Sequence, residues 1–300
     1  MRIAVGLDMD GSVDATLERA HELAARGFRS LWSSQIFGPD TLTMLALVGR
    51  ELPELDLGTA VVPVQPRHPS MLAAQARTVQ AAIGGRLSLG VGLSHQMVVE
   101  GMWGLDFSRP ASYMEEYLKI LAPLLRGEAV NVQGERVRAV TLGPLGPRGA
   151  EAPSLLVAAL GARMLGLAGE VADGTVLWMT GHRTIATHIV PLLSEAAARA
   201  GRPAPRVVCS APVVVSSDVV AARQRVDAAL QIYGTLPSYQ AMLQREGAES
   251  PADVSLIGSP EQVREQLGAY AAAGVTEFSA ALVGSREERD ATLELLGEEL

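Results

Sequence analysis

Short runs of aliphatic and β-branched residues punctuate this chain, and between them the apolar positions thin out to helical spacing. That alternation is what parallel strands, buried on both faces, and the amphipathic helices crossing between them leave in a sequence. Eight runs predict strands, at residues 2–7, 29–33, 56–61, 86–91, 154–158, 175–178, 206–215 and 275–283. Leu17, Ala20, Leu23 and Ala24 fall on one face of a helix that opens after Ser12 and Asp14 and stops at Gly27. Residues 69–83, 111–125, 161–172, 184–200 and 260–273 read the same way, each followed closely by Gly or by Gly with Pro, which end helices. Eight strands in this order predict an α/β fold closed into a (β/α)8 TIM barrel, since an open doubly wound sheet usually has fewer.

Two stretches interrupt the alternation. Residues 128–153 carry a hairpin signal, 130–132 and 137–140 around Gln133-Gly134, followed by a Gly/Pro-rich loop. Residues 218–259 read as a helical insertion with a loop at 235–238. These insertions follow the fourth and seventh βα regions, where added chain shapes access to substrate. A length of 300 residues suits one barrel, so residues 1–300 are expected to form a single domain.

Composition narrows the function classes. With 48% hydrophobic and 19% charged residues the chain is a packed globular protein, neither disordered nor a coiled coil. A net charge of -8 without a local Lys/Arg cluster argues against nucleic acid as a partner. No apolar stretch reaches membrane-span length and the first residues read as a strand with no signal-peptide layout, so a cytoplasmic protein without a membrane partner is expected. The single cysteine, Cys209, sits in an apolar run and reads as a buried strand residue. No His/Cys/Asp/Glu cluster has metal-ligand spacing, and no nucleophile elbow, Walker loop or dinucleotide fingerprint is present.

Candidate chemistry therefore lies at strand ends. The run Leu89-Gly90-Val91-Gly92-Leu93-Ser94-His95 closes the fourth strand with glycine where a planar ligand can approach the backbone. His95 follows as a group able to give or take a proton near neutral pH, although it would equally line the pocket or cap the next segment. Ala158-Ala159-Leu160-Gly161-Ala162-Arg163 joins the fifth strand to a helix, with small residues that let backbone N–H groups face an anion and Arg163 adding charge; tight packing alone would select the same residues. Asp8 and Asp10 follow the first strand, where Asp10-Gly11-Ser12 also reads as a turn into a helix cap. Trp32, Trp103 and Trp178 offer stacking surface, though Trp178 at a strand end fits a core position.

Gly27-Phe28-Arg29-Ser30-Leu31-Trp32, the stretch from Leu57 to Pro63, Arg67-His68-Pro69, Gly85-Arg86 with Leu89-Gly90-Val91-Gly92, and Ala168-Gly169 with Ala172-Asp173-Gly174 together resemble the luciferase-like flavin and deazaflavin oxidoreductases over nearly the whole chain. Within that superfamily the chain is most similar to F420-dependent oxidoreductases related to methylene-tetrahydromethanopterin reductase. The resemblance implies a hydride-transfer cofactor at the carboxyl end of the barrel, coenzyme F420 or alternatively FMN, acting on a small organic substrate. It implies a non-proline cis peptide at Ala60-Val61 behind the cofactor ring, the phosphate at the Gly161 segment, and a carboxylate or other polar group near the reacting centre in the neighbourhood of His95, which is the favoured proton handler here. The cofactor-binding set it marks is Gln35, Ala60, Val61, Gly92, Ser94, Ala158, Ala159, Leu160, Gly161, Ala162 and Arg163. It further implies a homodimer formed through barrel helices, to which the apolar helix at 41–48 would contribute.

One departure bears on mechanism: Gln35 and Ile36 stand where the family often has an Asp-His pair. Glutamine can still hydrogen-bond a deazaflavin ring, but isoleucine has no acid/base capacity, so a mechanism using that histidine is excluded and a sugar-phosphate dehydrogenase reading is weakened. The same barrel leaves two other readings open, an FMN-dependent monooxygenase and a non-catalytic barrel that binds a cofactor without turnover.

Overall fold

Eight parallel strands close on themselves in the computed structural model, which describes residues 1–9 and 11–300; Asp10 lies outside the described residues. In chain order and in space they are β1 (Arg2–Gly6), β2 (Ser30–Ser33), β3 (Asp56–Thr59), β4 (Leu87–Gly92), β5 (Ser154–Ala158), β6 (Gly174–Trp178), β7 (Arg206–Val215) and β8 (Glu277–Leu282). β8 returns to β1 with Ile3 opposite Phe278 and Val5 opposite Ala280, which completes the barrel. The outer helices are α1 (Val13–Ala25), α2 (Thr41–Glu51), α3 (Pro69–Ala82), α4 (Pro110–Leu125), α5 (Ala162–Val171), α6 (Val190–Arg199), α7 (Pro260–Ala272) and α8 (Arg286–Glu298). Their starts are fixed by side chains that accept from orphan N–H groups: Ser12 for α1, Asp40 for α2, and capping boxes from Ser259 with Gln262 and Ser285 with Glu288 for α7 and α8.

Strand parity divides the apolar residues into two cores. Leu31, Val91, Val157, Leu177, Cys209 and Phe278 point outward and join the helices in the main core, each such large side chain contributing about 1.5–3 kcal/mol of burial. Ala4, Trp32, Leu156, Val176 and Val208 point inward and fill the barrel. Cys209 is the buried strand residue expected, and burial pushes its thiol pKa up, so it stays protonated.

The predicted third strand, 56–61, ends early at Thr59. The Thr59 hydroxyl donates to Gly90 O at 2.7 Å and accepts from Gly90 N at 2.9 Å, taking over the groups a longer β3 would have paired with. The Ala60–Val61 bond that follows is cis, and the chain rejoins the sheet at Val62–Pro63 beside β4. The predicted hairpin forms as Asn131–Gln133 and Arg138–Val140, its turn held by the Glu116 carboxylate, which accepts from the amides of residues 135, 136 and 137. The predicted helix 184–200 opens as a short turn, His182–Thr184, and a π-helical stretch, Ile185–Ile189, before α6. The apolar pattern at 41–48 is explained chiefly by packing, since Leu42, Met44, Leu45 and Val48 of α2 are buried.

The two ends of the barrel differ. At the amino end Glu277 is almost wholly buried and accepts from Ser30 Oγ at 2.5 Å, Trp32 Nε1 at 2.9 Å and Arg206 at 3.0 Å, while Arg206 also reaches Ser88 and Ser154. A cavity of about 780 Å³ opens below this layer, but Arg2, Arg86, Arg202 and Arg206 on its wall are each already bonded to a carboxylate or to backbone carbonyls. The carboxyl end holds the residues singled out by sequence. Among the described residues no helix is long and apolar enough to cross a membrane.

Candidate active site

Continued toward the carboxyl ends, the strand alternation that turns Ala4, Leu156 and Val176 inward also turns Gly6, Gly92, Ala158, Trp178, Ser210 and Ala281 inward, and Ala60 packs on the same inner cluster. All but Trp178 are Gly, Ala or Ser, so the top layer is a floor of small residues. The fit is close: a Cβ on Gly92 would lie 2.6 Å from Val61 Cγ2 and 3.1 Å from Ala158 Cβ. Gly92, Val61 and Ala158, predicted separately, therefore make one surface on which a flat ring can rest. Backbone and hydroxyl groups brace it from behind, with Ser34 Oγ donating to Ala60 O at 2.6 Å and Gln35 N to Val61 O at 3.1 Å.

His95 stands at the rim, as the residue that precedes the short helix Gln96–Val99, and its ring caps nothing. Two tyrosines of the second insertion, Tyr233 and Tyr239, meet it edge-on with ring centroids 6.2 and 6.1 Å away. Burial lowers its pKa below the ordinary 6.5, so the imidazole is neutral at neutral pH and able to accept a proton. Trp178, which its strand-end position made a core candidate, is only partly buried and packs against Tyr233 at 5.9 Å.

The insertion that carries these tyrosines, with helix Pro237–Glu246, is pinned to the barrel by Glu246. Its buried carboxylate accepts from the backbone N–H groups of Arg183 at 3.1 Å and Thr184 at 2.7 Å. Gly181 makes the approach possible, because a Cβ there would lie 2.1 Å from Glu246 Cδ. Sequence reasoning missed Tyr233, Tyr239 and Glu246; the only signal was that their insertion follows the carboxyl end of a barrel strand.

After β5, the strand between those that lead to His95 and Trp178, α5 begins with Gly161 as its N-cap, in extended geometry (φ -85, ψ 155) with no side chain capping the helix. A Cβ on Gly161 would meet nothing within 4 Å, and no side chain of the N-cap takes up the first-turn amides. The approach to this helix is fixed by His188 Nε2, 2.9 Å from Leu160 O, and by buried Ala159. Two predicted ligands are engaged elsewhere. Arg163 bonds to Ser112 and Glu115 on α4, and Gln35 accepts from Thr41 N at 2.8 Å, so the side chain of Gln35 serves its own loop and its backbone serves the site. Ser94 is held near the floor by its N–H, which donates to Gln65 Oε1 at 3.3 Å.

This arrangement offers a flat small-residue floor, a helix N-terminus open to an anion, and one neutral imidazole at the rim. Among the described residues, His95 is the imidazole that meets the rim tyrosines. Among the described residues no group of three or more His, Cys, Asp or Glu side chains is arranged to hold a metal.

Known proteins bear on this geometry. The family model for luciferase-like monooxygenases matches residues 1–277. A putative coenzyme F420-dependent oxidoreductase of Mycobacterium tuberculosis is 27% identical over 316 residues, covering 88% of this chain and 89% of its own length. Among solved structures, the coenzyme F420-dependent tetrahydromethanopterin reductase of Methanopyrus kandleri superposes with a TM-score of 0.80 at 21% identity, covering 100% of this chain and 99% of its own. A monooxygenase of Streptomyces bottropensis superposes with a TM-score of 0.79 at 20% identity, covering 100% and 98%. The match of the family model across most of the chain carries the assignment: this protein belongs to the luciferase-like monooxygenase family.

Proposed function

We propose that this protein is an F420-dependent oxidoreductase, its 300 residues acting as one barrel domain, with the deazaflavin lying across the carboxyl end of the barrel. The observation that carries the reading is the pairing of a flat floor, Ala60, Val61, Gly92 and Ala158, with the uncapped, sterically open N-terminus of α5 at Gly161. A planar ring bearing a phosphorylated side chain needs both. The relatives named for coenzyme F420 favour the deazaflavin.

When bound, the deazaflavin supplies or accepts the hydride. The chain supplies the rest: the floor orients the ring, the amides of Ala162 and Arg163 receive phosphate, and His95 moves the proton at the substrate oxygen. An FMN-dependent monooxygenase is the second reading, because the same floor suits a flavin and a monooxygenase superposes almost as well. Titrations with oxidised F420 and, separately, FMN, followed by fluorescence quenching at matched ionic strength, separate the two. Micromolar or tighter F420 binding with weaker FMN binding is the expected result; preference for FMN would move the protein to the monooxygenase reading, and binding of neither would remove both.

The working unit in this reading is a homodimer. Ile36, Phe37 and Met71 are exposed on segments tied together by Asp40, which binds Arg67 at 2.7 Å and Gln75 at 3.0 Å. Such an apolar patch fits a second copy of the chain. Sedimentation that gives only monomer at micromolar concentration would contradict it.

A further inference from the structure

We infer that the barrel mouth takes an uncharged, ring-bearing carbonyl compound, or the corresponding alcohol, whose oxygen is held by the indole N–H of Trp178; this rests on the F420-dependent reading of the same site. Two tryptophans point into the barrel, and they differ. Trp32, in the middle layer, gives its Nε1–H to the buried carboxylate of Glu277 at 2.9 Å. Trp178, nearer the carboxyl ends, has a buried Nε1 that completes no hydrogen bond of good geometry, although the Tyr233 hydroxyl lies close enough to feel it. Buried donors are almost always paired, so an unpaired one beside a candidate site points to a missing acceptor.

The surroundings define that acceptor. Trp178 stands where the small-residue floor meets a wall of rings, with Tyr233 at 5.9 Å, Tyr239 5.2 Å beyond it, and His95 edge-on to both tyrosines. Leu230, Leu243 and Ala248 pack among these rings. The one carboxylate of this insertion helix that reaches the barrel, Glu246, is spent on backbone amides. Such a wall gives no countercharge to a phosphate or carboxylate and favours a flat, neutral body. An N–H donor and a half-buried imidazole that both pack on Tyr233 suit an oxygen: a carbonyl accepts from Trp178, and a hydroxyl that accepts from Trp178 has His95, across Tyr233, as the base for its proton.

The sequence has three tryptophans, so a proton–nitrogen correlation spectrum has three indole signals, and Trp178→Phe identifies its own. Benzylideneacetone is titrated into the full chain alone and with bound F420, with the hydrocarbon β-methylstyrene and the anion phenyl phosphate as controls. The ketone is expected to move the Trp178 indole proton downfield and saturably, the hydrocarbon not to, and Trp178→Phe, which keeps an aromatic ring, to weaken ketone binding about tenfold. The inference is overturned by a Trp178 signal that the ketone leaves in place in both titrations, by an equal shift from the hydrocarbon, by ketone affinity unchanged in Trp178→Phe, or by tighter binding of phenyl phosphate. The F420 titration is read separately. A chain that binds ketone through Trp178 but not F420 loses the proposed function alone, and the reverse result loses this inference alone.

Discussion

Gly161 begins α5 in the extended geometry that an N-cap aspartate also adopts, with room around its Cα and no capping group of its own. Gly161→Asp is therefore expected to raise stability by a few tenths of a kcal/mol, read as a small rise in Tm, while placing a negative charge where the phosphate is to bind. His95 supplies a second expectation, from its pH dependence. Its folded-state pKa lies below 6.5, so the unfolded chain takes up the proton first, and the stability contributed by neutral His95 is complete above pH 6.5 and lost as pH falls below it. In the direction that removes a proton from substrate, the acid limb of kcat/KM is expected below pH 6.5 and is expected to vanish in His95→Gln; an unchanged limb in that variant would take His95 out of proton transfer. His95 and the small residues were legible in the sequence because Gly-rich strand ends mark barrel mouths. Tyr233 and Tyr239 were not, because nothing local says that rings more than a hundred residues from His95 come to rest on it.

At the scale of elements, the second insertion depends on one carboxylate. Glu246→Ala strips the acceptor from two backbone N–H groups and is expected to cost about 1–3 kcal/mol. The loss should be local, seen as faster hydrogen exchange over residues 233–246 with the barrel strands still protected; exchange that rises equally throughout would show that the insertion is no separate unit. The strands were readable from apolar runs alone, since both faces of a parallel barrel strand are covered. The early end of β3 was not, because it depends on Thr59 reaching Gly90 across the sheet. Helix α8 went unread although its signals were present, a Ser285–Glu288 capping box followed by Leu293 and Leu296 on the buried face.

Across the whole molecule, the two ends of the barrel divide the work. The amino end holds a polar layer in which buried Glu277 satisfies Ser30, Trp32 and Arg206. Removing it in Glu277→Ala leaves three donors unpaired and is expected to cost toward the low end of about 3–5 kcal/mol, as Arg206 keeps some contact with water, without changing cofactor affinity. A fall in cofactor affinity as large as that of a mouth variant would deny the division. The cofactor site lies at the other end, where its place can be tested together with its chemistry. F420 titrated in parallel into the unaltered chain, Gly161→Asp and Ala158→Phe, with FMN as the competitor, tests both most directly. The account predicts micromolar or tighter F420 binding to the unaltered chain, weaker FMN binding, and a loss of about tenfold or more in each variant while both remain folded. F420 binding that neither variant weakens, or FMN bound more tightly than F420, would contradict it.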